Sequence, residues 1–147
     1  MNADPHSQDF YAWTRDQARL LRAGRFDSVD IVHLIEEVEE MGGNIHRQLE
    51  SRLEVLLMHL LKWKYQPNLT GKSWFLTIAE QRRRISKLLR KNPSLKAELD
   101  EAFTDAYEDA RHSAMLETGL NLETFPEEPP FSLAQTLDAD FLPDSKD

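Results

Sequence analysis

Cysteine is absent from this chain of 147 residues. Disulfides, zinc–thiolate centres, iron–sulfur clusters and thiol nucleophiles are excluded before any pattern is read. Long apolar runs are missing as well. The longest apolar-rich stretch, Val55 to Leu61, contains His59 and falls far short of the roughly 20 residues that a bilayer-spanning helix needs. No strand-type alternation and no repeat of solenoid length is visible. The opening MNADPHSQDF is polar and acidic, without the basic start and apolar stretch of a secretion signal. The expectation is a cytoplasmic protein forming one domain over residues 1–147, with a flexible start at 1–8.

What is present is charge in blocks. The net charge of −8 divides into −5 over residues 1–61, +9 over 62–96 and −12 over 97–147. Between the charges, apolar residues recur with a helical period. Phe10, Trp13, Ala18 and Leu21 predict a helix from about Asp9 to Ala23, ended by Gly24 as C-terminal cap. Asp27 or Ser28 can cap a second helix, whose stripe is Ile31, Leu34, Ile35, Val38 and Met41, with Glu36, Glu37, Glu39 and Glu40 opposite. Gly42-Gly43 then predicts a restart or sharp bend, because each glycine costs about 1 kcal/mol relative to alanine inside a helix. The next helix, about Asn44 to Tyr65, is apolar nearly all round and reads as the buried centre. Two more follow, from about Ser73 to Lys91 and from Asn92-Pro93 to Gly119. Pro126, Pro129, Pro130 and Pro143 forbid a long helix beyond that point, yet Phe125, Phe131 and Phe141 are too apolar for a solvated tail. The fold class is all-α: a compact bundle of about five helices, with a proline-containing arm over 120–147 packed on its outside.

Few motifs promise chemistry. Thr70-Gly71-Lys72-Ser73-Trp74 resembles the end of a phosphate-binding loop, but position 66 holds Gln66 where the first glycine belongs. Pro67 removes an amide donor, and a helix precedes where a strand is required. The loop reads as a turn at Gly71 with Thr70 or Ser73 capping the next helix. Glu-x-x-His metal pairs do not occur. Asp30-Ile-Val-His33 and Asp109-Ala-Arg-His112 share the spacing, but both fall on polar helix sides and read as solvated. No metal, cofactor or catalytic set is therefore expected.

Two constellations remain. His59 lies among Leu56, Leu60 and Trp63, so it needs a hydrogen-bond partner, with Arg52 a candidate. Gln81 or Arg82 falls on the inward stripe between Ile78 and Ile85, with Glu50 or Glu54 as candidate partners. His59, Trp63, Trp74, Gln81 and Arg82 together form a candidate pocket or polar core, the basis of an alternative reading as a small-ligand binder or enzyme. The basic face Arg83, Arg84, Lys87, Arg90 and Lys91 could meet nucleic acid, but a sequence pI of about 5.1 opposes that. Counter-charge from Glu98, Asp100, Glu101, Asp105, Glu108 and Asp109 is the expected role.

A family resemblance adds to these readings. Asp9-Phe10-Tyr11-Ala12-Trp13-Thr14, Leu34-Ile35-Glu36-Glu37-Val38-Glu39, Leu53 through Trp63, Ser73-Trp74, Glu80-Gln81-Arg82, Asn92-Pro93-Ser94-Leu95 and Phe125-Pro126-Glu127-Glu128 together resemble the bacterial domain-of-unknown-function family twenty-nine. The resemblance runs from about Asp9 to Pro143. It implies a small, all-helical, cytoplasmic bacterial protein and carries over no activity, cofactor or catalytic residue. The expected function is a non-enzymatic interaction module that binds another protein or itself, with no membrane contact.

Overall fold

The computed structural model describes residues 4–144, and among these there are six helices and no strand. The chain divides into two compact units, Met1–Asn44 and Ile45–Asp147.

The first unit opens with a single helical turn, α1 (Pro5–Gln8), where the sequence predicts a flexible start. Two things hold it: proline in the first turn, and the Asp4 carboxylate, which accepts from the backbone N–H of His6 at 3.2 Å. Residues 1–3 of the expected flexible start lie outside the described residues. Asp9 ends α1 and caps α2 (Phe10–Arg22), accepting from Ala12 N–H at 3.0 Å. Gly24, at φ 72°, closes α2 in the left-handed conformation its position predicts. Trp13, Gln17 and Leu20 are the buried face of α2, spaced four and three apart.

The third helix, α3, runs unbroken from Ile31 to Tyr65. Its cap is Asp30, whose carbonyl accepts from Leu34 N–H and whose Oδ1 accepts from His33 N–H at 3.4 Å. The expected caps Asp27 and Ser28 lie instead in a 3₁₀ turn, Phe26–Ser28. The break expected at Gly42-Gly43 does not occur. A cost of about 1 kcal/mol per glycine is small against the hydrogen bonds of a helix whose apolar stripe keeps its phase on both sides.

In the second unit, Leu49, Leu53, Leu56, Leu57, Leu60 and Leu61 of α3 are fully buried. α4 (Lys72–Lys91) packs Ile78 and Ile85 into this core. α5 (Leu99–Thr118) adds Ala102, Ala106, Ala110 and Ala114, a row of small side chains that lets the helix approach closely. Gly119, at φ 75°, ends α5. The segment after it packs against the core and adds two rings to it: Phe125 and Phe131 are buried, and the rings of Phe125 and Tyr65 meet edge to face at 5.5 Å between centres. A backbone without helix or strand partners must find other donors to enter a core. Tyr107 Oη donates to the Pro126 carbonyl at 2.6 Å, and Arg111 donates to the carbonyls of Leu122 and Phe125. The short α6 (Leu133–Leu137) then begins with a reciprocal capping box between Ser132 and Gln135.

Candidate functional site: a histidine–carboxylate cluster

The first unit gathers five titratable side chains at one place. Asp30, His33 and Glu37 are three and four residues apart, so α3 presents them on one side. α1 supplies His6, and its cap supplies Asp4. His33 Nδ1 lies 2.8 Å from Asp30 Oδ2, and His33 Nε2 lies 2.9 Å from Asp4 Oδ2. His6 Nε2 lies 2.7 Å from Glu37 Oε1. The two imidazoles stack, with centres 4.2 Å apart and planes within 12°. Trp13 meets the His6 ring edge-on and donates its Nε1–H to Asp30 Oδ2 at 3.0 Å. Gln17 fixes the helix start by accepting from Asp30 N–H at 2.7 Å.

The hydrogen bond to Asp30 raises the His33 pKa above its ordinary value, and the same bond lowers that of Asp30. The spacing of Asp30 and His33 is visible in the sequence, but their convergence with Glu37, Asp4 and His6 is not. Asp4 and His6 sit in a stretch that reads as unstructured. The expectation that Asp30 and His33 are simply solvated is therefore corrected. His112, in the other pair of that spacing, is exposed and bonds to the Glu108 carbonyl of its own helix.

The residues expected to form a pocket have separate attachments. His59 is half-buried, with Nδ1 2.8 Å from the Val55 carbonyl. A carbonyl can only accept, so Nδ1 carries the proton and Nε2 keeps its lone pair. Burial pushes the His59 pKa below its ordinary value. Its expected partner Arg52 donates instead to Gln81 Oε1 at 3.3 Å. Trp63 packs against the core. The ring of Trp74 receives the ammonium of Lys62, a buried lysine that also pairs with Glu117 at 3.3 Å. Arg82 is buried and donates its Nε–H to the Thr136 carbonyl at 2.9 Å, while its Nη2 has no hydrogen-bond partner. Its expected partners are engaged elsewhere, Glu50 with His46 and Glu54 with Ser113.

Around Gly71 the expected caps fail too. Thr70 turns back to the Pro67 carbonyl, and α4 starts without a side-chain cap.

The basic face is open. Arg83, Arg84, Lys87, Arg90 and Lys91 are all exposed. Arg83 and Arg84 pair with Glu80 on their own helix, at 2.6 and 3.7 Å. Among the described residues, Lys87, Arg90 and Lys91 have no ion pair. The counter-charge role expected of the α5 carboxylates is thus not realised. Ile78, Arg82 and Ile85 set the inward face of α4, and the remaining cations fall on the opposite side.

Neither the curated proteins nor the solved structures include a match to this chain. The family comparison does find one: the model described as domain of unknown function DUF29 matches residues 6–142, nearly the whole chain, and the chain belongs to that family.

Proposed function

We propose that the protein is a non-enzymatic interaction module that binds another protein, or a second copy of itself, through the N-terminal part of α3. One observation carries this reading. Ile31, Val32, Ile35, Val38 and Met41 are between 54 and 67% exposed. Ile31, Ile35 and Val38 lie on the side of α3 that further along is fully buried as Leu49, Leu53, Leu56 and Leu60. Fully burying an aliphatic side chain contributes about 1.5–3 kcal/mol, so five of them are a substantial uncovered surface. Spacings of three and four along one side are those by which a helix seats in an apolar groove. Exposed Glu36 and Glu39 beside the stripe favour a partner with a basic rim. A bacterial cytoplasmic setting rests on the family resemblance alone.

Light scattering and affinity capture test the proposal together. The unaltered protein should self-associate or retain a stoichiometric partner, and Ile35→Asp with Val38→Asp should abolish the complex while helicity stays intact. A protein that stays monomeric and captures nothing, or a double variant that behaves as the parent does, would sink the reading.

The open basic face of α4 favours a second reading, as a phosphate-binding surface for nucleic acid. It requires binding to a random oligonucleotide that weakens steeply with salt and disappears in Arg83→Glu with Lys87→Glu. Salt-independent or absent binding would eliminate it.

A further inference from the structure

We propose that Asp4, His6 and His33 form a binding site for a divalent first-row transition metal ion of the zinc class. Each of the three offers one ligand atom, and these atoms all lie within 4.8 Å of one another. Donors about 2.0–2.2 Å from a tetrahedral ion stand roughly 3.3 Å apart, so small side-chain movements complete the set. The observed 2.9 Å between His33 Nε2 and Asp4 Oδ2 already approaches that spacing.

The surroundings of the three donors are those of a metal-binding histidine. Asp30 holds Nδ1 of His33 at 2.8 Å, which turns Nε2 towards Asp4. Ligating imidazoles commonly have such a carboxylate behind them, which fixes tautomer and ring orientation and raises basicity. Asp30 is itself held by Trp13 Nε1–H and by its place as the α3 cap. The other imidazole, His6, has a carboxylate of its own in Glu37, at 2.7 Å. Two imidazoles and one carboxylate, with no thiolate, suit zinc and its neighbours better than calcium or magnesium, which prefer all-oxygen sites. The fourth position falls to water. Bound metal would tie the single turn of α1 to α3 within the first unit. The site is independent of the α3 stripe, since Ile31, Ile35 and Val38 lie on another side of the helix.

Isothermal titration of zinc into full-length, untagged, chelator-treated protein tests the proposal, with cobalt absorption reporting tetrahedral coordination. The expected result is one ion per chain. His6→Ala and His33→Ala should each abolish binding. Asp30→Asn should weaken it on the order of 10–100-fold, the usual effect of losing a group that orients a ligand. Asp4→Asn keeps the cap oxygen for α1 and loses the anionic ligand, so its loss of affinity cannot be blamed on unfolding of that turn. His112→Ala should change nothing. No saturable binding, affinity unchanged in His33→Ala and Asp4→Asn, or equal loss in His112→Ala would each overturn the proposal.

Discussion

α3 carries one apolar stripe with two fates. From Leu49 onward the stripe is fully buried, while Ile31, Ile35 and Val38, in phase with it, remain more than half exposed. Along the stripe itself the two stretches are alike, since both offer large aliphatic residues at helical spacing. The difference lies in what covers them. Residues 49–61 receive α4, α5 and the segment around Phe125, all from the second unit. In the first unit, Trp13, Gln17 and Leu20 of α2 are buried while the stripe is left uncovered. An apolar helix side thus predicts that something will cover it, and not whether the cover belongs to the same chain.

The comparison can be broken most forcefully in the core. Phe125→Ala should cost about 3–5 kcal/mol in urea unfolding, because a fully buried ring leaves a cavity and takes away the contact with Tyr65. Ile35→Ala, on the exposed part of the stripe, should change stability by less than about 0.5 kcal/mol, since alanine's higher helix propensity offsets the small loss of burial. Equal costs would mean that the stripe is covered in solution. Next in size is Gly42→Ala. An added Cβ meets nothing within 4 Å, so the gain should approach the 1 kcal/mol helix-propensity difference. A loss of stability would show instead that the helix needs its glycine to bend there.

Histidine titration sharpens the comparison at lower energy. His46 is bonded to Glu50 and Glu98 at 2.9 and 2.6 Å. Partial desolvation opposes its protonation, but these two carboxylates outweigh it and raise its pKa above the usual 6.5. Its contribution to stability is complete below that value and fades as pH rises through the raised one. His59, lowered chiefly by burial, behaves in the opposite way: its contribution is present above 6.5 and is lost as pH falls from there. Proton NMR should place the two titrations on opposite sides of 6.5, and His59→Gln should reduce the acid sensitivity that His46→Gln leaves intact. Both histidines titrating together would refute these environments. The smallest effect is expected from Arg83→Glu with Lys87→Glu. Their only described carboxylate neighbour is exposed Glu80, so unfolding should change little with salt in either protein.

The sequence by itself determined the elements whose causes are local. The all-α class follows from the period of the apolar residues, the end of α2 from Gly24, the end of α5 from Gly119, and the buried centre from the density of leucine between Leu49 and Leu61. The tertiary structure decided whatever depends on residues far apart in the chain. It continued α3 through Gly42-Gly43 without a break in the helix. It drew Phe125 and Phe131 into the core, because Tyr107 and Arg111 supply hydrogen bonds for backbone that has no regular partner. It gave Arg82 the Thr136 carbonyl in place of a glutamate, and left the other cations of α4 facing solvent. It also brought Asp4 and His6 to Asp30, His33 and Glu37. One turn of helix at a polar chain start has no apolar period to announce it, and it becomes visible only through the cap and the side chains that it meets.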